Sequence, residues 1–392
     1  MNFVAGDNME KNILDTIIGL VGEKYLNFIP KKIQVIDKIF LVTDDKVYFK
    51  SDKKSEIEKD FFKIIDDNFI AIKMNDPHLK YSSNVNLNFT HAPILWNQNH
   101  LYWIKEKKQK KIPYEIKSIN GENINSILED YSTRYNFNIN ITKSLVLEDI
   151  MMGRIRKQGY VYFNIVNNTG IFEEKIPIEK VKYIKNVSMQ NGAVIYKTKF
   201  DIFKDKILYI KINSFYTKQD FKCLFSLINK NISTLIFDLR DNLGGYISIA
   251  KQNLALFLNE QVCIDYYSVF NRLRAYNHII EPIKGNVRIE EKKIYVLVNE
   301  NTMSSAEYIF TLGLKKAYNC IIVGQETMGL CGECKTFNII NKGVLRITTQ
   351  KYIDFNNNYI SSVEPDFFID RDIDDIVNGI DQQLKYIIDR EV

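Results

Sequence analysis

Apolar residues along this chain change their spacing several times, and the changes mark out its elements. Thr234–Leu239 (TLIFDL) and Ile294–Val298 (IYVLV) are short β-branched and aromatic runs of the kind that forms buried strands. Each is followed by a turn and then by apolar residues at helical spacing, over Ile247–Leu258 and Ser304–Leu314. Ile207–Ile212 alternates as a strand, and Phe215–Ile228 predicts a helix with Phe221, Leu224, Phe225 and Ile228 on one face. Ile321–Val323, Phe337–Ile340 and Val344–Thr348 predict further strands, and Asp374–Ile388 a closing amphipathic helix. Strand-helix alternation of this kind predicts an α/β sheet covered by helices.

Upstream the pattern differs. The first 87 residues mix helical spacing, over Glu10–Tyr25 and Lys54–Ile72, with short strands at Ile39–Thr43 and Lys46–Phe49. From 88 to 187 aromatic strands alternate with polar turns. Its clearest piece is Tyr114–Leu128, where Ile116 and Ile119 predict a buried strand, Asn120-Gly121 a turn, and Ile124, Ile127 and Leu128 a helix. Three regions follow: a mainly helical cap at 1–87, a second domain at 88–187 and a core at 188–392. A length of 392 residues agrees with two or three domains.

Two turns carry the candidate chemistry. Gly244-Gly245 closes the run LIFDLRDNLGG between strand and helix, where bare backbone approaches a ligand and free N–H groups stabilise negative charge. Thr302–Glu307 (TMSSAE) sets Ser304 at the start of the other helix. Asp238, Arg240 and Asn242 are read as holding the glycine turn. The simplest role for Glu307, in the first helical turn, is to favour the helix dipole or cap.

These residues carry a resemblance. DLRDNLGG, YVLVNENTMSSAEYI, Ile321–Gly329 (IIVGQETMG) and Val363–Asp366 (VEPD) resemble, in that order, the core of the tail-specific or carboxyl-terminal processing serine proteases, peptidase family S41. The resemblance implies a crotonase-like (ClpP/crotonase) α/β catalytic core, a PDZ-like peptide-binding domain before it and an N-terminal helical region. It also implies that Ser304 is the nucleophile. The backbone N–H groups of Gly245, or of Gly244, and of Ser305 would form the oxyanion hole. The I-x-x-I-N-G-x-x-I pattern in Tyr114–Leu128 resembles the second half of a PDZ-like domain.

The chain departs from the family at the base. The processing proteases place a lysine about 25 residues after the serine, and Leu330 stands there in Thr327-Met-Gly-Leu-Cys331. A leucine accepts no proton, and an unassisted hydroxyl is a poor nucleophile. Lys335 is too far along to substitute. The tricorn-like branch of the family resembles the chain better, because it takes a histidine base from the N-terminal region. Here Asn75-Asp-Pro-His78 occupies that place, and His78 is the candidate base. His91, His100 and His278 are read as ordinary histidines. Tyr359 falls where the branch has a third, orienting glutamate, so no third member is assigned.

The function expected is that of a serine endopeptidase working through an acyl-enzyme on Ser304. The alternative is a catalytically inactive pseudoprotease acting as a peptide-binding scaffold. Neither a metal nor an organic cofactor is required by the chemistry. The expected partner is a peptide or unfolded protein, and an oligomer stays open.

Composition narrows the setting. With 45% hydrophobic and 26% charged residues the chain reads as an ordinary soluble globular protein. A formal charge of +5, from 53 basic and 48 acidic residues, is too small to imply nucleic acid. The basic stretch Lys105–Lys111 reads as a solvated turn, or as a capture site for an acidic peptide. The first residues lack a signal-like basic and apolar pattern, and no window approaches the ~20 apolar residues of a membrane span, so a cytoplasmic location is expected. Cys331-Gly-Glu-Cys334 reads as two free loop thiols in preference to a redox pair or half a zinc site.

Overall fold

The computed structural model describes residues 94–135, 139–151, 160–180, 199–216, 221, 224–228, 231–268, 271–283, 288–339, 343–353, 360 and 362–391. In the N-terminal region it describes four short strands: β1 (Phe40–Thr43), β2 (Lys46–Phe49), β3 (Ile72–Met74) and β4 (Val85–Leu87). His78, His91, Tyr359, the predicted helix Glu10–Tyr25 and all but the last residue of Lys54–Ile72 lie outside the described residues.

The second region is an antiparallel sheet with two helices. In chain order it holds β5 (Ile94–Asn97), β6 (His100–Lys107), β7 (Lys110–Ile119), β8 (Glu122–Asn123), α1 (Ile124–Tyr135), α2 (Ile139–Met151), β9 (Tyr160–Asn167) and β10 (Gly170–Lys180). The strand order is β4-β10-β9-β7-β6-β5, with β8 paired to β7. Asn120 and Gly121 both take positive φ, 53° and 86°, the backbone of a tight hairpin turn. Ile116, Ile119, Ile124, Ile127 and Leu128 are all buried in one cluster with Leu101, Phe163 and Ile165, as the spacing predicts.

The core begins with β11 (Lys199–Phe203), β12 (Ile207–Lys211), α3 (Leu224–Leu227), β13 (Thr234–Asp238) and α4 (Ile247–Ala255). It continues with β14 (Val262–Ser268), β15 (Asn271–Ile280), β16 (Lys293–Val298), a π-helical turn over Ala306–Thr311 and α5 (Leu312–Tyr318). It ends with β17 (Ile321–Gly324), β18 (Gly332–Ile339), β19 (Gly343–Tyr352), β20 (Phe367–Phe368), α6 (Ile373–Asn378) and α7 (Gln382–Glu391). The main sheet runs β11-β12-β13-β16-β17-β20 and is parallel from β12 onward.

Because both faces are covered at its centre, the central strands β12, β13, β16 and β17 are mostly apolar. Leu208, Leu235, Phe237, Val296 and Val298 pack with Leu254, Ile309 and Phe310 on one side. Ile207, Ile236, Tyr295 and Leu297 pack with Leu384 and Ile387 on the other. A second sheet, β15-β14-β19-β18, carries β3 on the edge of β19.

Three predicted elements differ in detail. Phe215 makes a bridge to Gly245 instead of starting a helix, and only Leu224–Leu227 of that prediction is described as helical. The helix that follows Ser304 opens with the π turn. The closing helix is divided at Gly379, whose φ of 72° makes it the left-handed cap of α6.

The C-terminal layer is anchored by a buried ion cluster. Arg240 bonds both oxygens of Asp238, at 3.0 and 2.6 Å, and both oxygens of Asp381, at 2.7 Å each. Lys211 and Tyr209 complete the shell around Asp238. Burial pushes the Asp238 carboxyl up, but the Arg240 charge and hydrogen bonds, with help from Lys211 and Tyr209, outweigh it and hold the group below its ordinary range. Arg240→Ala leaves a buried carboxylate short of its main partner, and is expected to destabilise the fold by about 3 kcal/mol in denaturant unfolding. The wild-type contribution of Asp238 is present above the ordinary Asp pKa and disappears as pH falls through its depressed folded value.

Candidate active site

The two candidate turns leave the carboxyl ends of neighbouring parallel strands, β13 and β16, whose register sets Asp238 beside Leu297. Polar side chains then stitch one turn to the other. Asp241 Oδ1 accepts the amides of Asn299 and Asn301 at 2.8 and 2.9 Å, and the Asp241 N–H donates to Asn299 Oδ1. The Thr302 hydroxyl donates to Leu239 O at 2.9 Å, and Met303 N–H to Asn242 O at 3.0 Å.

The fit between the turns leaves no room for a side chain at Gly244. A Cβ there would lie 2.7 Å from Met303 O and 2.8 Å from Ser304 Cβ, and the residue has φ 77°. At Gly245, φ 142°, a Cβ would strike Phe215 C at 2.3 Å. Phe215 N–H donates to Gly244 O, and Phe215 O accepts the Tyr246 N–H, fixing the turn from its far side. Asn242, fully buried, spans Ile212 O and the Gly244 N–H.

Ser304 is half-buried and held at φ 58°, a left-handed conformation that costs a non-glycine residue free energy and persists only under constraint. The constraint is visible. Ser304 O accepts the N–H groups of Glu307 and Tyr308, and the Ser304 N–H donates to Glu307 Oε2 at 2.6 Å. Beyond it, the Thr311 hydroxyl closes the wide π turn onto Ala306 O at 2.7 Å.

Glu307 is no simple cap. It is fully buried, and besides Ser304 it receives Leu330 N–H on Oε2 at 3.0 Å, and Gly329 N–H and the Thr327 hydroxyl on Oε1 at 2.8 and 2.5 Å. The strap Thr327–Cys331, which carries Leu330, is thereby bound directly to the serine turn. Met328 N–H to Thr302 O and Thr327 N–H to Val363 O secure it further. Desolvation raises the Glu307 carboxyl to about 7 against the opposing effect of these donors. The sequence does hold a signal for this role, since Glu307 is a lone charge within the apolar run AEYIF, every residue of which is buried.

The remaining predicted site residues are placed as follows. Gly244 N–H is engaged by Asn242, whereas the Gly245 and Ser305 N–H groups have no hydrogen-bond partner among the described residues. His100 sits on the surface of the antiparallel sheet, with Nδ1 2.6 Å from Glu115. His278 stacks against both Tyr266 and Tyr352, in a ring cluster that reaches Tyr308 in the π turn. Cys331 is a free, buried thiol beside Glu307, and burial raises its pKa well above the ordinary value, which keeps it protonated and unreactive. Among the described residues no group of three or more His, Cys, Asp or Glu converges on a metal position, and no helix is long and apolar enough to cross a membrane.

The chain is similar to several known proteins. Residues 206–369 match the sequence model of Peptidase family S41. The tail-specific protease of Haemophilus influenzae is 29% identical over 163 residues, 38% of this chain and 22% of that protein. The chloroplastic carboxyl-terminal-processing peptidase 1 of Arabidopsis thaliana is 24% identical over 196 residues, 49% of this chain and 39% of its own length. The chain thus spans well under half the length of either relative. In structure, mature CPAF superimposes with a TM-score of 0.65 at 12% identity, over 98% of this chain and 96% of the other, a likeness of the whole α/β fold. The sequence match to Peptidase family S41 thus spans the segment that holds both candidate turns, the strap and Val363–Asp366.

Glu307 gives this site a measurable pH signature. With its folded pKa raised from an ordinary 4.5 to about 7, the folded state holds the proton more tightly than the unfolded state. Its contribution to stability therefore falls as pH rises from 4.5 to 7 and is flat above. The difference in unfolding free energy between the wild type and Glu307→Gln should change by roughly 3 kcal/mol across that window and not beyond it, as urea titrations at stepped pH would read.

Proposed function

We propose that this chain is a serine peptidase that cleaves peptide bonds in peptides or unfolded proteins through an acyl-enzyme on Ser304. The observation that carries the reading is the apposition of the two turns, with Gly244 packed against Ser304 and the unengaged N–H groups of Gly245 and Ser305 beside it. Ser304 Oγ attacks the carbonyl carbon while its proton passes to the base. The Gly245 and Ser305 N–H groups hold the oxyanion, and the base returns the proton to the departing amine. Water then hydrolyses the ester by the same steps in reverse order.

The base in this reading is His78. Leu330 holds no proton-accepting group, and Met74, four residues before His78, is paired with Gly343 of the catalytic core. The antiparallel sheet of residues 94–180, with α1 and α2, serves as a PDZ-like peptide-binding domain, and the core is crotonase-like. Leu330 also favours a second reading, that of a pseudoprotease scaffold that binds peptides without cutting them.

A fluorophosphonate probe separates the two. The peptidase reading expects labelling that is abolished in Ser304→Ala and slowed by about 10²–10⁴-fold in His78→Ala, the contribution of a positioned general base. Folded wild type that takes no label yet binds peptide supports the scaffold. Full reactivity in His78→Ala would sink the base assignment while leaving the nucleophile in place.

A further inference from the structure

The strap that carries Leu330 is touched from outside the core. Asn140, the second residue of α2 in the antiparallel sheet domain, directs its side-chain amide at two successive carbonyls, Glu326 O at 3.4 Å and Thr327 O at 3.1 Å. Thr327 is the pivot of the strap. Its hydroxyl donates to Glu307 Oε1 at 2.5 Å and accepts Val363 N–H at 2.8 Å, and Glu307 in turn holds the Ser304 and Leu330 N–H groups. A continuous series of hydrogen bonds therefore joins the sheet domain to the backbone of the nucleophile, from Asn140 through Thr327 and Glu307 to Ser304.

We propose that Asn140 is a positioning residue for the peptidase reaction, supplied by the sheet domain and acting through the Thr327–Cys331 strap. The inference rests on the reading of Ser304 as the nucleophile, and adds a residue from a different domain to the set that orients it. The core's own anchors fix the strap at Thr327 N–H and Met328 N–H, which leaves the carbonyl side of residues 326–327 to Asn140. A peptide plane with one face bonded and the other free can rock about its two Cα atoms. Bonding its carbonyl side suppresses that motion, and with it any drift of the Leu330 and Gly329 N–H groups off Glu307. Undocking of the sheet domain would release this restraint, so the position of that domain is reported at Ser304.

The helix itself is not weakened by the substitution, since Ala in place of Asn at a helical position improves intrinsic propensity. A second bridge between the same two bodies, Gln98 Nε2 to Asp370 Oδ2 at 2.7 Å, reaches the neighbouring Gln325 only through side chains (Gln325 Nε2 to Asp370 Oδ1, 3.0 Å), touches no backbone atom of the strap, and supplies the control. Loss of one neutral hydrogen bond predicts that Asn140→Ala and Asn140→Asp slow fluorophosphonate labelling of Ser304 by about two- to tenfold, with Asn140→Gln, which keeps the donor, within about twofold of wild type. Peptide KM should be unchanged, and Gln98→Ala should label at the wild-type rate. Hydrogen exchange of residues 328–331, followed by mass spectrometry, should accelerate in Asn140→Ala and not in Gln98→Ala. Unchanged strap exchange in Asn140→Ala, or equal acceleration in Gln98→Ala, would overturn the proposal. Absence of labelling in the wild type would remove the peptidase reading, and strap exchange alone would then decide whether Asn140 holds the strap.

Discussion

The carboxylate of Glu307 is the constraint on which the site depends. Burying it inside an apolar helix is costly unless every lone pair is met by a donor. Its donors come from two places that are distant in sequence: the Ser304 N–H on the serine turn, and Thr327, Gly329 and Leu330 on the strap. The carboxylate is satisfied only when the strap lies on the turn. A desolvation cost that belongs to one residue thus enforces the relative position of two segments, and it holds Ser304 in a left-handed conformation that the chain would not otherwise keep.

The sheet makes that arrangement reachable. Parallel pairing of β13 with β16 ends both strands at the same level, so the turns that follow begin side by side. Asp241, Asn299 and Asn301 then lock them together, and the missing side chain at Gly244 lets Ser304 approach. Arg240 fastens the same strand end to the segment before α7, so the C-terminal layer and the glycine turn share one anchor. Rigidity at the reacting atoms is built from these supports outward.

Sequence patterning reads well where a single periodic signal dominates. The largely apolar strands β13 and β16, the Asn120-Gly121 hairpin and the buried set Ile116, Ile119, Ile124, Ile127 and Leu128 follow from local rules. It reads poorly where a long-range partner overrides the local preference. Phe215 carries a helical pattern, yet its backbone bonds Gly244 and Tyr246. The turn after Ser304 looks α-helical, but the clamp at Glu307 and the hydroxyl of Thr311 open it to a π turn. Glu307 resembles a cap because only its Ser304 partner is local; the others stand 20 to 23 positions away, and the Asn140 contact spans 187. No spacing rule reaches that far.

Leu330 acquires a physical meaning from this arrangement. The strap is held by backbone N–H groups, a threonine hydroxyl and carbonyls, and none of those bonds uses the side chain at 330. Replacing the lysine expected there by leucine removes a proton acceptor without disturbing the fold of the strap or its grip on the serine turn. Scaffold and base are therefore separable functions in this site. What the strap retains is the placement of Ser304. In the proposed reading, a base brought in from another segment would meet a serine whose backbone these bonds already hold in position.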